Sequence, residues 1–363
     1  MKTILSLVRP TAFLFSLLVA APPAVSAQTE NFEVVRLAEG VYATVRKDSP
    51  GLGAEANNLF IINDEDVVVV DANVSPSATR EVLAALRKLT AKPVSYVVNT
   101  HWHDDHVIGG SVYREAFPRV EFVAHARTRE YLPGLGRERR EQAFKGAAQF
   151  VKDLQGLVEQ NKSLTGNPLT EEERAGYLND IKIGTRFVNE GPKAEIVLPT
   201  VTVEERLTLH RGSRVIEILH LGRGHTAGDL VVHLPKEGIV ATGDLVVWPV
   251  PYVGGEQSHI TDWATTLGRV AALKPSIIVP GHGPVLRDDS HVKLLASMFA
   301  SVARQTREAV GRGETLEQAR KSVSLEEFRK QLAGESQFRR VLFRVYVVAP
   351  AVEAAYREAT AKP

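Results

Sequence analysis

The feature that most constrains the fold is where the histidines fall. Asn99-Thr100-His101-Trp102-His103-Asp104-Asp105-His106 follows directly on the apolar, β-branched run Val94 to Val98. Gly224-His225-Thr226 follows a strand pattern ending at Leu221, and Gly281-His282-Gly283 follows the short apolar run Ile277 to Val279. Thr242-Gly243-Asp244 stands between the last two and reads as another strand end. Each cluster sits where a strand stops, the place where a sandwich or α/β sheet exposes functional groups on loops.

The rest of the pattern agrees. Phe32 to Leu37, Val41 to Arg46, Asn58 to Ile62 and Val67 to Asp71 are β-branched or alternating, with turn residues between them. Helical spacing follows at Ala78 to Leu89 and Gly110 to Phe117, with a strand pattern at Val120 to Ala124. Strand patterns resume over Ile196 to Leu221, Asp229 to Leu234 and Gly238 to Ala241, with Pro235 to Gly238 as a hairpin turn. This β-rich start followed by alternation predicts an α/β (α+β) sandwich. Residues 127–193 differ: they are charged, and Phe150, Leu154 and Leu157 recur at helical spacing, which predicts a helical insertion. Residues 287–363 read as a C-terminal helical segment in three parts, divided near Gly311–Gly313 and Gly334.

Residues 1–27 have the form of a secretory signal: Lys2 and Arg9, an apolar stretch, then Val25-Ser26-Ala27. The expected product is a periplasmic or secreted chain, free of the membrane after cleavage, whose main domain is 28–286. Lys+Arg 44 against Asp+Glu 43 gives no electrostatic footprint for nucleic acid. The expected partner is a small molecule, and a homo-oligomer stays open. With Cys 0, thiolate nucleophiles, disulfides and Cys-ligated metals are all excluded.

What remains is a nitrogen and oxygen donor set. His101 and His103 can converge on one ion if a third ligand comes from elsewhere, and His225 suits that place. Asp105 and His106 can hold a second ion with His282, while Asp244 bridges the two. Two zinc ions fit, and manganese or iron fit the same donors. The remaining histidines, His125, His210, His220, His233, His259 and His291, read as structural, with His220 and His259 the readiest exceptions. Asp104 reads as a supporting or surface carboxylate. Trp248-Pro249-Val250-Pro251-Tyr252 should be a stiff loop beside the metals, with Trp248 and Tyr252 walling a substrate pocket and Tyr252 donating to an oxyanion. Lys47 to Asn57 reads as a flap, and Trp102 as packed beneath the metal loop.

These residues resemble those of the metallo-β-lactamase-fold hydrolases. His101, His103, Asp105 and His106 match the family's HxHxDH motif, and His225, Asp244 and His282 match its downstream ligand motifs. Asp71 matches an early acidic position that supports the metal loop. The resemblance covers about residues 32–285 and implies an αββα sandwich with a dinuclear site at one edge. It leaves out the helical insertion and the C-terminal segment. It also implies a metal-activated hydroxide that Asp105 orients, opening a cyclic amide or ester, a β-lactam or a lactone. Two departures weigh against a dedicated lactamase: Asp244 stands where secreted lactamases carry a cysteine, and Val247 where they carry a drug-binding lysine. Alternatives on the same fold are an iron-dependent persulfide dioxygenase, built on His101, His103, His225 and Asp244, or a thioesterase.

Overall fold

A computed structural model describes residues 28–47, 51–53, 55–254 and 257–361 of the chain. All four side chains of the strand Val67–Val70 are buried in it, which demands a cover on both faces of that strand. Val67 and Val69 pack toward helices, while Val68 and Val70 enter an apolar layer between two sheets. The first sheet has seven strands in sequence order: β1 (Phe32–Ala38), β2 (Val41–Arg46), β3 (Asn58–Ile62), β4 (Val67–Val70), β5 (Val94–Val98), β6 (Glu121–His125) and β7 (Val201–Val203). The second comprises β8 (Arg206–Arg211), β9 (Arg214–Leu219), β10 (Val231–Leu234), β11 (Ile239–Val247) and β12 (Ile277–His282), in the spatial order β12-β11-β10-β9-β8.

Strands β1 to β4 pair antiparallel and β4 to β7 pair parallel, so each parallel step needs a crossover. The first is α1 (Pro76–Leu89), which begins two residues before the apolar pattern because Ser75 caps it and Pro76 fits its first turn. The second contains α2 (Asp104–Val107) and α3 (Gly110–Ala116). The third is the insertion: α4 (Ala126–Tyr131), α5 (Leu135–Glu159), α6 (Glu171–Glu190) and a 3-10 turn, Gly191–Lys193. The outer face of the second sheet is covered by α7 (Ile260–Ala272) and α8 (Ser290–Gly311), where Trp263 stacks on Phe299 with centroids 4.2 Å apart. Behind them lie α9 (Leu316–Ser322), α10 (Glu326–Ala333), α11 (Gln337–Phe343), a π-helical turn Arg344–Val348, and α12 (Ala349–Thr360). The result is the expected αββα sandwich, with extra helices added at its edge and C-terminus.

Three local expectations need correction. Residues 196–199 form no strand: Val197 packs into the helical layer over the first sheet, and pairing with β6 starts only at Val201. Strand β11 runs on to Val247, which puts Asp244 inside a strand rather than at its end, and β12 includes His282. The continuation works because the β11/β12 register slips at Gly243, as a bulge does to re-aim a side chain. Gly243 has φ 51°, and a Cβ there would come within 2.4 Å of the Thr100 hydroxyl. The middle part of the C-terminal segment is also split, into α9 and α10. The divisions near Gly313 and Gly334 stand where the sequence placed them. The expected signal, residues 1–27, lies outside the described residues. Among the described residues no helix is long and apolar enough to cross a membrane.

Candidate metal centre

Behind the residues that form the centre is a framework that fixes which nitrogen each ring presents. Asp71, with a φ of 61°, accepts from Thr100 N at 2.7 Å, the Thr100 hydroxyl at 2.9 Å and His106 Nδ1 at 2.8 Å. The Thr100 hydroxyl, having given its proton to Asp71, accepts from His101 Nδ1 at 3.1 Å. His225 Nδ1 donates to the Tyr252 carbonyl at 2.9 Å and His282 Nδ1 to the Glu55 carbonyl at 3.0 Å. Four imidazoles thus have Nδ1 tied outward and Nε2 left as an inward lone pair, the arrangement that sets a metal-ligand tautomer. His103 is the reverse: its Nδ1 lies 2.8 Å from His225 Nε2.

The inward atoms form three overlapping groups that could hold a metal ion: His101, His103 and His225; Asp105, His106 and His282; and His101, His106 and Asp244. Asp244 spans them. Its Oδ1 is 3.3 Å from His106 Nε2 and 3.2 Å from His282 Nε2, while Oδ2 is 3.6 Å from His225 Nε2. Asp105 Oδ2 is 3.1 Å from His282 Nε2 and 3.3 Å from His106 Nε2. The structure therefore brings together all seven residues singled out in the sequence.

The donors fit a cation. His101 Nε2, His106 Nε2, His282 Nε2, Asp105 Oδ2 and Asp244 Oδ1 are buried without a hydrogen-bond partner, and a buried polar atom left unpaired costs about 1–3 kcal/mol. Burial, aided by neighbouring rings, holds His101 and His103 well below the usual imidazole range, and burial also lowers His225. Burial works against ionising Asp105 and Asp244, yet the facing His106 and His282 hold both carboxyls well below the usual range. Burial likewise opposes charge on His282, but Asp244 and Asp105 raise it to about 10. The centre calls for positive charge between these rings and carboxylates, which a metal ion provides while every ring stays neutral.

Over the centre lies a cavity of about 510 Å³, bordered by His103, Asp105, His225 and Asp244. Tyr252 lines it, 5.4 Å from the His282 ring, but its hydroxyl donates to the Gly51 carbonyl at 3.2 Å. The expected oxyanion donor is therefore already engaged. Trp248 is a correction too: it is absent from the cavity lining, and its ring instead carries the Arg339 guanidinium at 5.1 Å, on the side of the C-terminal helices. Trp102 is buried with Val107 and Leu132 beneath the metal loop. Asp104 is held by Arg140 at 2.7 Å. His220 packs on His125 and donates to the Asp229 carbonyl, and His259 donates its backbone N–H to Gly224 at the start of α7. Neither belongs to the three groups. Of the expected flap, residues 48–50 and 54 lie outside the described residues.

Two more wall residues stand out: Arg139, whose run of arginines reads in the sequence as a solvated helix face or an attractor of anionic substrates, and Tyr346, which the sequence reading missed. Arg139, adjacent to the ion-paired Arg140, lines the cavity and donates to the Gly254 carbonyl at 3.2 Å. Tyr346, in the π-helical turn, also lines it, packs tilted against Tyr252 with ring centroids 4.7 Å apart and donates to the Leu52 carbonyl. Only helical apolar spacing marks Tyr346 in the sequence, and that spacing does not say which cavity a turn borders.

Comparison with known proteins follows the same outline. The family model described as the metallo-beta-lactamase superfamily matches residues 52–282, a span that includes all seven clustered residues. The chain belongs to the metallo-beta-lactamase superfamily. Members of the superfamily normally bind metal ions, in accord with the His/Asp groups. A linear primary-alkylsulfatase of Pseudomonas sp. is 26% identical over 261 residues, 68% of this chain but 43% of that protein. A metallo-beta-lactamase type 2 of Bacillus sp. is 23% identical over 239 residues, 65% of this chain and 69% of that one. Among solved structures, a stereoselective inverting sec-alkylsulfatase from Pseudomonas sp. superposes with a TM-score of 0.63 at 16% identity. That match covers 90% of this chain and 50% of that one, and it speaks to the fold alone. This chain thus spans half or less of the length of the two alkylsulfatases.

Proposed function

We propose that this chain is an exported dinuclear zinc hydrolase that opens a cyclic amide or ester, with a lactone ahead of a β-lactam. The observation that carries the reading is Asp244: its two oxygens face different imidazole groups, so one carboxylate serves both halves of the centre. Zinc suits donors that are all imidazole nitrogen or carboxylate oxygen. Two such ions supply a hydroxide nucleophile at neutral pH and a Lewis acid for the carbonyl. The chain's own groups then position and exclude. Asp71 holds His106 and, through Thr100, His101; Asp105 points its free oxygen at the reacting edge; Tyr252 and Tyr346 wall the cavity. A lactone is preferred because Val247 is fully buried and offers no cation beside Asp244 for a drug carboxylate.

Sulfate-ester hydrolysis is the second reading. It is supported by Arg139, which faces the same cavity, and by the likeness to the linear primary-alkylsulfatase. A pH-stat assay of zinc-loaded protein tests both, using an acyl lactone, a cephalosporin and a linear alkyl sulfate, each with and without chelator. Chelator-sensitive acid release from the lactone is expected. Release from the alkyl sulfate alone selects the second reading, and release from none refutes both. Metal analysis should find two zinc ions per chain; one iron and no zinc would point to the dioxygenase alternative. Export is checked by the N-terminal sequence of protein from the periplasmic fraction, expected to begin at Gln28.

A further inference from the structure

A second hollow, of about 360 Å³, lies between the two long helices of the insertion. Ala143, Ala147 and Phe150 of α5 face Ile183, Gly184 and Phe187 of α6 across it. Its charged groups are Asp104, Asp105 and Asp180. Two of these are occupied: Asp104 by Arg140, and Asp180 by the backbone N–H groups of Leu52 and Gly53, at 2.8 and 2.9 Å. Asp105 is the third, and it lines the cavity over the metal centre as well. The two hollows therefore share a wall residue that belongs to the centre. Leu52 borders one and Gly53 the other, so a segment held by Asp180 crosses the seam.

The walls beyond this acidic end offer nothing to hydrogen-bond, so water there lacks the two to four partners that would hold it. Phe150 remains 38% exposed at the outer end of the hollow. Gly146 also lines the hollow, and a Cβ on it would meet nothing within 4 Å. Glycine weakens a helix relative to alanine, and here no neighbour requires it. Its effect is to keep the groove open.

We propose that this groove seats the linear aliphatic tail, acyl or alkyl, of the substrate, whose reacting group lies at the Asp105 edge of the metal centre. The assignment rests on the hydrolase reading above. The orientation follows from charge: three carboxylates at the inner end leave the head to the cations, and the tail runs outward past Phe150. A linear chain fits because the seat is a slot between two helices, with no polar wall group to recognise an amide or a sugar.

The test is isothermal titration of zinc-loaded full chain with sodium butanoate, hexanoate, octanoate and decanoate, on the natural protein and on Gly146→Leu. In the natural protein Kd should fall about fourfold per added methylene until the groove is full. Gly146→Leu places a side chain in the open space and introduces a better helix former, so the fold is retained, checked by circular dichroism. The gain from hexanoate to decanoate should then disappear. A Kd independent of chain length overturns the proposal, even if the lactone is turned over. A length series in the natural protein that Gly146→Leu abolishes, with no ester cleaved, overturns only the hydrolase reading, whereas a series that survives in Gly146→Leu overturns the tail seat. If Gly146→Leu leaves the series intact but converts a dimer to a monomer on size-exclusion chromatography, a second copy covers the groove and the tail seat is refuted.

Discussion

At the rim of the sandwich, three of the five candidate imidazoles are gripped from behind by groups distant in sequence. Asp71 holds His106, Glu55 holds His282 and Tyr252 holds His225, each through Nδ1. In the insertion, the groove side chains Ala143, Ala147, Phe150, Ile183 and Phe187 are small or apolar, and the polar links to the rest of the chain come from other side chains. Arg140 reaches Asp104, Asp180 reaches Leu52 and Gly53, and Glu190 accepts from Ser77 N at 2.8 Å. The rim is preorganised by buried hydrogen bonds whose loss is costly. The apolar groove positions of the insertion take no part in these links and can change without disturbing them. The candidate metal centre and the groove of the insertion thus differ in how much a substitution disturbs.

The largest expected effect falls on the rim. His282→Ala or His101→Ala should lower turnover on the order of 10³-fold or more, since several kcal/mol of Lewis-acid stabilisation is lost. The thermal midpoint should hardly move, because these rings serve cations rather than the core. Near-full turnover with one metal missing would sink the two-metal reading. One step further out, Asp71→Asn should weaken zinc binding by about 10–100-fold, read by competition with a chromogenic chelator. Asparagine tolerates the left-handed backbone at this position, so the loss reports on the hydrogen bonds to Thr100 and His106.

The insertion should respond through stability and pH. Burial raises the Asp180 carboxyl to about 7, against the pull of the Gly53 and Leu52 N–H groups. A carboxyl raised in the folded state binds a proton that the unfolded chain has released. Its contribution is full below about pH 4 and is lost as pH rises through about 7. Urea denaturation should show the natural protein losing on the order of 2 kcal/mol relative to Asp180→Asn between pH 5 and 7. A pH-independent gap would mean that Asp180 titrates normally. Smallest of all, Tyr346→Phe removes one hydrogen bond to Leu52 and should cost about 1 kcal/mol. A larger fall in turnover than in stability would make the C-terminal wall part of the chemistry.

Much of this division was legible in the sequence. Residues such as His101, His103 and His282 follow apolar strand patterns, and their match to the family's motifs implied the shared edge. The helical character of residues 127–193 was equally plain from spacing. The misses have a common origin in direction. Arg139 and Arg140 are neighbours in sequence but stand about 100° apart around a helix, so one lines the cavity and the other binds Asp104. Trp248 and Tyr252 share a loop, yet Tyr252 turns to His282 and Trp248 to Arg339. Asp244 was expected at a strand end because a strand pattern does not reveal that Gly243 lets pairing slip and continue.

The contribution of Tyr346 also bears on how the molecule is made. All seven clustered residues have left the ribosome once His282 has, but the wall that Tyr346 and its π-helical turn provide comes dozens of residues later. Val253, on the loop after β11, receives the Tyr346 carbonyl as a backbone acceptor at 3.0 Å only then. During synthesis the donor set precedes its enclosure, so a chain cut after β12 would keep every metal-facing residue and present them through an unfinished wall. The helices at the end of the chain are the last part of the active cavity to be assembled.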